Sequence, residues 1–350
     1  MSEYASGQFV GIDLHRQRSV LVRMDADGQR LETTRISNDP AYLKAVMARA
    51  GEAPEVVLEA CYGWYWAADT LAELGAKVHL AHPLGVKGFA YRRVKNDAAD
   101  AGDLADLLRM GRLPEAWIAP PAVRELRELV RHRAKLVGLR TNLKCQVHAV
   151  LASAGIAVPM SDLFGVAGAE LLDRVVLPVA MRAKVTSCRR VIDLLDFEIT
   201  HATKLAAARL HADPGHAAVQ TIPGVGPVLG AVFCAEIGDV HRFARPEQLA
   251  CWAGLTPRHR ESDTKVHRGR ITKQGSKLVR WAAIEAVQRA GSDNPIGAAR
   301  ARITARRPKA GNQAKVAAAR LLVQCVFYAL RDHHVRRLQA GAPKPEQAAA

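Results

Sequence analysis

The 350-residue sequence predicts an α/β domain at its N-terminus, followed by a mostly helical region. Short apolar or alternating segments, which are typical of β-strands, are concentrated before residue 85 and alternate with helical patterns. From Pro120 onward these strand signals almost vanish, and apolar residues recur at spacings of three and four. A chain of this length also exceeds the roughly 250 residues at which a single core usually stops growing. More than one domain is therefore expected.

The first predicted elements are three strands in a meander. FVGIDL at Phe9–Leu14 is a short apolar run, and SVLVRM at Ser19–Met24 alternates with a period of two. The turn Asp25–Gly28 leads into a third strand at Arg30–Ile36. The elements predicted next are a helix at Ala41–Arg49, a buried strand at Glu55–Ala60, a helix at Trp64–Leu74, a strand at Lys77–Ala81 and a helix from about Asp97 to Met110. This order is that of a ribonuclease-H-like α/β domain.

Two long amphipathic helices are predicted in the middle of the chain. The apolar seam of the first consists of Leu136, Leu139, Leu143, Val147 and Val150, and that of the second, after a break at Pro178, of Val191, Leu195 and Ile199. The two helices could form a hairpin within one chain or a coiled coil between two chains, and the sequence leaves both open.

A glycine-containing turn is predicted in Thr221–Gly238, which reads TIPGVGPVLGAVFCAEIG. Gly224 and Gly226 resemble the start of a dinucleotide-binding motif, but the next glycine is Gly230 and a helix precedes the motif, so that interpretation fails. A helix-hairpin-helix fits better, because its glycines let backbone amides approach a phosphate at a helix N-terminus. Gly224 and Gly226 are therefore candidate nucleic-acid-binding residues, with a plain interhelical turn as the alternative.

The formal charge of +16 is unevenly distributed along the chain. Residues 1–110 contain 13 Lys and Arg against 15 Asp and Glu, whereas the remainder contains 37 against 19. A surface this cationic favours a polyanion through counterion release, so nucleic acid is the expected partner. A membrane partner is not expected, because the sequence offers neither a basic helix with a large apolar face nor an apolar window of about 18 residues.

The densest basic segment lies between Leu255 and Arg280. Its candidate nucleic-acid-binding side chains are Arg258, Arg260, Arg268, Arg270, Lys273 and Lys277. A mostly helical, basic C-terminal domain is therefore the expected site of contact with nucleic acid.

The cysteines and the N-terminus place limits on the class of protein. The six cysteines are too widely spaced for a zinc ribbon or a redox pair. The first residues lack the basic and apolar segments of a secretory signal. We therefore expect reduced thiols and a cytoplasmic, nucleoid-associated protein.

Carboxylates occupy positions where they could converge on a metal ion. Asp13 ends the first apolar strand and Glu59 lies near the end of EVVLEA, where a buried acid is costly unless it is ligated or hydrogen-bonded. The predicted helix then carries Asp97, Asp100, Asp103 and Asp106 at steps of three. Such oxygen ligands suit hard divalent ions, which can activate a nucleophile at a phosphodiester. Taken singly, each acid could instead be a turn, surface or capping residue.

Several ordered motifs together resemble a known family. They are GIDLH, VVLEACYGWYW and VKNDAADAGDLADLL in the N-terminal part, and TIPGVGPVLGAVFCAEIG, FARPEQLACWAGLTPRHRES and ITKQGSKLVRWA in the C-terminal part. Over nearly its whole length the chain resembles the bacterial insertion-sequence transposases of family one-hundred-and-ten, which are bridge-RNA-guided recombinases with a DEDD tetrad. The resemblance implies a RuvC-like domain in which Asp13, Glu59, Asp97 and Asp100 bind Mg²⁺. By its spacing alone, Asp103 competes with Asp100 for the fourth position.

The same resemblance implies a catalytic serine in the basic C-terminal domain. Ser262, which follows the GLTPR segment, occupies its place, although Asp263 replaces the glycine found next in some relatives. A serine in this role would attack a phosphodiester and form a covalent link to DNA. The implied partners are donor and target DNA, a structured non-coding RNA, and further copies of the chain, as a homodimer that assembles to a tetramer.

These observations predict a domain organisation and a function. The domains are a RuvC-like domain at 1–118, a long-helix linker or oligomerisation region at 119–215, a transposase domain with the serine at 216–338, and a disordered tail at 339–350. The predicted function is site-specific recombination of an insertion sequence by Mg²⁺-assisted serine attack. The alternative is a hydrolytic RuvC-like Holliday-junction nuclease without a covalent intermediate.

Two further alternatives are weaker. A tyrosine recombinase would use His267, Arg270 and Tyr328, but it leaves the four acids unexplained. A catalytically inactive nucleic-acid-binding protein gains nothing from carboxylates concentrated near phosphate.

Overall fold

The computed structural model describes residues 7–89, 96–263, 265–335 and 338. The chain divides into two compact units, residues 1–119 and residues 120–350. The first unit is mixed α/β and the second is mostly helical, which confirms the predicted fold class at this level. The long-helix segment, expected as a region of its own at 119–215, belongs to the same compact unit as the C-terminal residues. The predicted tail at 339–350 lies outside the described residues.

The first unit is built on a six-stranded sheet with the order β3-β2-β1-β4-β5-β6. Its strands are β1 (Phe9–Leu14), β2 (Arg18–Met24), β3 (Arg30–Ser37), β4 (Glu55–Glu59), β5 (Lys77–Ala81) and β6 (Glu115–Ala116). The first three form an antiparallel meander, and β4 is parallel to both β1 and β5. This topology is compatible with a ribonuclease-H-like domain, and it places the carboxyl ends of β1 and β4 side by side.

Helices cover both faces of this sheet. They are α1 (Pro40–Met47), α2 (Trp64–Glu73), the short α3 (Pro83–Val86) and α4 (Asp97–Arg109), with a 3-10 turn at Lys87–Phe89. On one face Leu43 of α1 and Leu71 of α2 pack with Ile12 and other buried apolar side chains of the sheet. On the opposite face α4 packs against Val20, Val22 and Val57 through Ala101, Leu104 and Ala105.

The second unit begins with two long helices that pack side by side. Its helices are α5 (Pro121–Ser153), α6 (Val166–Arg174), α7 (Val179–Arg209), α8 (Pro214–Gln220), α9 (Pro227–Ile237), α10 (Pro246–Trp252), α11 (Lys277–Arg289), α12 (Pro295–Arg306) and α13 (Gly311–Asp332), with 3-10 turns at Val240–Arg242 and Pro308–Ala310. Arg133 donates to Thr203 at 2.7 Å, and Arg209 pairs with Glu125 at 2.8 Å. Because residues early in α5 contact residues late in α7, the two helices are antiparallel partners within one chain.

The largest core of the protein lies among the helices that follow. Buried side chains of α9, α10, α11 and α13, including Phe233, Leu249, Val287 and Phe327, form one apolar cluster. The segment Pro308–Asp332 is the one described helical stretch long and apolar enough to cross a membrane, and half of its apolar 18-residue window is buried. That burial is expected of a core helix.

A β-hairpin in the second unit was not predicted, since the sequence led us to expect helices there. Strands β7 (Pro257–Ser262) and β8 (Lys265–Ile271) form an antiparallel hairpin within the basic segment. Five of the six residues of β7 are exposed, so the strand leaves no apolar alternation in the sequence. The hairpin depends on backbone pairing and its turn, which hydrophobic periodicity does not detect.

Candidate active site and nucleic-acid interface

Asp13 and Glu59 lie at the carboxyl ends of neighbouring parallel strands. Ile12 of β1 is in register with Leu58 of β4, so the acid that follows each of them occupies the next step of the ladder. Side chains two residues apart point to the same face of a strand. Gly11 and Val57 face α4, and both carboxylates therefore lie on the face that α4 covers.

A close approach between α4 and β1 brings two further acids to this end of the sheet. A Cβ atom at Gly11 would lie 1.9 Å from the carbonyl oxygen of Ala101, so the helix backbone rests directly on the strand. Asn96 caps α4 and accepts hydrogen bonds from the amides of Ala98 and Ala99. Asp97 and Asp100 occupy the first turn that follows. Contact at Gly11 thus fixes how far these acids lie from Asp13.

His15 joins Asp13 and Asp97 in a compact cluster. Its Nε2 atom is 3.1 Å from Oδ2 of Asp13 and 3.4 Å from Oδ1 of Asp97. One potential ligand atom from each of the three residues lies within 4.8 Å of the others. The Asp13 side chain is only 16% exposed, whereas those of His15 and Asp97 are 42% and 45% exposed. Asp13 is therefore the buried part of the cluster, and His15 and Asp97 form its solvent-exposed rim.

The Cys61 thiol lies next to this cluster, and the negative charges of the cluster affect its pKa. The thiol contacts the carbonyl oxygen of Leu14 at 3.3 Å, between the ends of β1 and β4. Burial raises the pKa of the Cys61 thiol, and the charges of Glu59 and Asp13 raise this pKa further. The carboxylates of Glu59 and Asp13 therefore both influence the same thiol.

Asp100 and Asp103 differ in their orientation on α4. Ala101, Leu104 and Leu108 define the side of the helix that faces the sheet. At about 100° per residue, Asp100 lies at the edge of that side and Asp103 lies nearly opposite to it. Asp103 is also one turn further from the end of the helix that carries Asp97. The orientation favours Asp100 over Asp103 as the fourth acid.

This donor set fits a divalent cation. Carboxylate oxygens are the ligands that hard divalent ions prefer, and an imidazole nitrogen extends the set to transition metals. Among the described residues, Asp13, His15 and Asp97 form the one group with this ligand arrangement. Asp13, Glu59, Asp97 and Asp100 were all named from the sequence, but His15 was not. Its position two residues after Asp13 was the available signal.

Ser262 is the last residue of β7, at the exposed tip of the hairpin. It pairs with Lys265 across the turn, and Arg260 pairs with His267 one step further from the tip. Paired residues of an antiparallel ladder share a face, so the serine lies on the same face as Lys265, Arg260 and His267. Asp263, which replaces the glycine of some relatives, adopts a left-handed φ of 52°. The aspartate thus takes the conformation that a glycine would favour.

The predicted nucleic-acid-binding residues fall into two groups. Arg258, Arg260, Arg270, Lys273 and Lys277 are exposed on or beside the hairpin, while Arg268 pairs through its backbone with His259 and its side chain lies outside the described part. Gly224 and Gly226 lie in the turn between α8 and α9. A Cβ at Gly224 would lie 2.1 Å from the carbonyl of Ala286, so packing against α11 accounts for this glycine. Gly226 is open to its surroundings.

The base of the hairpin is anchored to the core of the second unit. Arg280, a member of the basic segment, donates to the carbonyls of Ala253 and Gln274 at 2.9 and 2.6 Å. Burial lowers the pKa of this guanidinium. Gly275, with φ of 70°, lies so close to Trp252 that a Cβ would be 1.8 Å from its carbonyl oxygen. Arg280 therefore orients the hairpin, whereas the exposed cations are free to meet a ligand.

Two family models match most of the chain. A DEDD model described as "Transposase" matches residues 10–156, and a model described as "Transposase IS116/IS110/IS902 family" matches residues 216–302. The first match contains the carboxylate cluster and the second contains the hairpin with Ser262.

Individual relatives cover similar shares of the chain. An uncharacterized 44.8 kDa protein of insertion element IS116 from Streptomyces clavuligerus is 27% identical over 78% of this chain and 82% of its own length. The transposase for insertion sequence element IS1111A from Coxiella burnetii is 26% identical over 79% of this chain and 76% of its own. The transposase for insertion sequence element IS1328 from Yersinia enterocolitica is 24% identical over 66% and 69%.

Proposed function

Since the chain belongs to the IS116/IS110/IS902 family of transposases, enzymes that cut and rejoin DNA, we propose that it recombines an insertion sequence through two sites. One is the carboxylate cluster of the first unit, and the other is Ser262 on the hairpin of the second unit. The observation that carries this proposal is that Asp13, at the end of β1, and Asp97, at the start of α4, meet in one cluster next to the end of β4, where Glu59 lies.

The carboxylate site is proposed to hold the divalent metal that a DEDD transposase domain implies, with Mg²⁺ as the ion. Asp13, Glu59, Asp97 and Asp100 would hold it. A bound divalent ion supplies charge stabilisation to a phosphate under attack and to the oxygen that leaves. Asp13 provides the buried anchor, while the exposed carboxylate of Asp97 faces the side from which a phosphate can approach.

Ser262 is proposed as the nucleophile. Its Oγ would form a bond to phosphorus, its proton would pass to a base, and the bond from phosphorus to the leaving DNA oxygen would break. The leaving oxygen would take up a proton and become a free hydroxyl. Attack by a hydroxyl of the second DNA strand reverses these changes, which releases the serine and rejoins the DNA. Lys265 and Arg260, on the serine's face of the hairpin, would neutralise the pentavalent phosphorus species.

The second unit is proposed to bind donor and target DNA and a structured non-coding RNA that selects them. Residues 120–350 contain 36 Lys and Arg against 18 Asp and Glu, an excess suited to several nucleic-acid strands. The RNA partner and a homodimer that assembles to a tetramer rest on the family resemblance. Recombination joins two DNA partners, so more than one copy of each site is required. Action on DNA would place the protein at the nucleoid.

A cleavage assay distinguishes recombination from hydrolysis. Junction-bearing DNA would be incubated with the full chain, the RNA that flanks the element and Mg²⁺, and a protein–DNA adduct would be sought on denaturing gels. We expect an adduct with the wild type, none with Ser262→Ala, and no cleavage with Asp13→Asn. Ser292→Ala, which changes an exposed serine outside the hairpin, is the matched control and should behave as the wild type. Metal-dependent cleavage without an adduct, unaffected by Ser262→Ala, would instead establish the hydrolytic junction nuclease.

A further inference from the structure

We infer that His15 is itself a metal ligand, and that its imidazole shifts the preference of the site from Mg²⁺ toward first-row transition metals such as Mn²⁺. This inference rests on the proposed function, because it assumes that the carboxylates around Asp13 hold a metal. It goes beyond the DEDD tetrad, which consists of carboxylates alone.

The separations between the atoms support coordination. A divalent ion with octahedral bonds of about 2.1 Å places neighbouring ligand atoms about 3.0 Å apart and opposite ones about 4.2 Å apart. Nε2 of His15 lies 3.1 Å from Asp13 Oδ2 and 3.4 Å from Asp97 Oδ1. One ligand atom from each of the three residues lies within 4.8 Å of the others, which is slightly more than the 4.2 Å between opposite ligands. The separations between the imidazole nitrogen and the two carboxylate oxygens are therefore close to those between neighbouring ligands of one ion.

The backbone holds His15 in place for this role. Its amide donates to the carbonyl of Arg18 at 3.1 Å, and its carbonyl accepts a hydrogen bond from Asn38 at 2.6 Å. Asn38 is fixed in turn, because its side-chain oxygen accepts from the hydroxyl of Ser19 at 2.6 Å. The turn after β1 is thus anchored to β2 and to the residue after β3. These hydrogen bonds hold the backbone of His15 so that its imidazole lies at the exposed rim of the cluster.

The chemistry of the ligands sets the metal preference. Mg²⁺ takes oxygen ligands and keeps several of its waters, so a nitrogen ligand contributes little to its binding. First-row transition metals accept imidazole more readily than Mg²⁺ does, and their affinities rise from Mn²⁺, the weakest of the series, so Mn²⁺ gives the lower limit of the effect. The alternative role for His15 is a hydrogen-bonded bridge between Asp13 and Asp97 that a metal displaces. In that case removal of His15 would strengthen metal binding.

Pulsed electron paramagnetic resonance of Mn²⁺ bound to the full chain tests the inference, since it detects a coordinated nitrogen without any catalytic turnover. We expect ¹⁴N coupling in the wild type and its loss in His15→Ala. In parallel titrations, His15→Ala should weaken Mn²⁺ binding about tenfold and change Mg²⁺ binding less than about twofold.

His79→Gln is the matched control, because His79 also lies between two carboxylates. Its Nε2 is 3.2 Å from Glu55 and its Nδ1 is 3.1 Å from Glu115. The two glutamates contact opposite nitrogens of the His79 ring, so a single ion cannot bind His79, Glu55 and Glu115 together. The nitrogen coupling should persist in this variant.

Two results would overturn the inference. Mn²⁺ binding that Asp13→Asn abolishes, but that shows no nitrogen coupling, would leave the proposed carboxylate site standing and remove His15 from it. The same holds if His15→Ala tightens Mn²⁺ binding. Absence of Mn²⁺ and Mg²⁺ binding in the wild type would instead overturn the metal site of the proposed function together with the inference.

Discussion

Gly11 shows how one residue controls the geometry of the carboxylate site. Gly11→Ala would place a methyl group 1.9 Å from Ala101 O and 2.8 Å from Ala105 N, so α4 must move away from β1. We expect a loss of about 2–3 kcal/mol in the free energy of unfolding, measured in urea, together with weaker metal binding. Gly7→Ala, with no atom within 4 Å of the new methyl, should change neither property. Metal binding unaltered by Gly11→Ala would show that the site tolerates displacement of α4.

Asp263 is a second residue whose backbone conformation matters. Its left-handed φ of 52° follows directly on Ser262 and closes the hairpin tip. Asp263→Gly should keep the yield of the protein–DNA adduct, because glycine adopts this conformation without strain. Asp263→Val should destabilise the tip of the hairpin by about 1–2 kcal/mol and lower the yield of the adduct, because valine is strained in this conformation. Equal adduct yields for the two variants would show that the reactivity of Ser262 does not depend on the conformation of the tip.

At the scale of elements, a buried carboxylate joins three helices of the second unit. Glu236 of α9 is 4% exposed and accepts from Arg131 of α5 at 2.7 and 3.2 Å. It also accepts from the hydroxyl of Ser276, which caps α11, at 2.9 Å. Glu236→Ala should lower the free energy of unfolding by about 2–4 kcal/mol, because it leaves Arg131 and the cap without their shared acceptor. Glu128→Ala, at an exposed position of α5, should cost less than about 0.5 kcal/mol in the same urea titration.

Glu32 links β2 to β3 in a way that depends on pH. It accepts from Thr34 at 2.8 Å and from Arg23 at 3.0 and 2.5 Å, and these hydrogen bonds lower its pKa. Because the folded pKa lies below the unfolded value of about 4.3, the stabilisation is present above about pH 5 and is lost as the pH falls through the lowered value. Glu32→Gln should therefore destabilise the protein by about 1 kcal/mol at neutral pH, after allowance for solvent screening. The difference between the two proteins should shrink toward about pH 3 in urea titrations, and a constant difference would contradict this assignment.

At the scale of the whole molecule, charge separates the two units. The first unit contains 14 Lys and Arg against 16 Asp and Glu, whereas the second has an excess of 18 positive charges. DNA binding by the full chain should therefore weaken steeply with salt. Replacement of Arg258 and Arg260 by Gln should reduce the slope of log K against log salt by about 0.9 for each phosphate that is no longer neutralised. Lys44→Gln with Lys77→Gln, at lysines paired with acids in the first unit, should leave the slope unchanged.

Prediction from the sequence succeeded where the signal is local. The strands β1, β2 and β5 and the helix α4 lie within a residue or so of their predicted limits, because apolar alternation and capping residues act over a few positions. The four acids stay a prediction; within the sequence only the family resemblance separated Asp100 from Asp103, and the orientation of α4 then favours Asp100. The hairpin was missed, since its exposed side chains carry no burial pattern.

The sequence by itself determined the order of the elements, the residue types of the acidic site and the separation of charge between the two units. Only the tertiary structure decided that His15 lies against Asp97, a residue 82 positions later in the chain. It also decided that Gly11 and Gly224 must be glycines, because a helix backbone packs so closely against each that a Cβ atom would clash. The physical reason is that periodicity and capping depend on near neighbours, whereas these contacts depend on how α4 and α11 pack after the chain has folded.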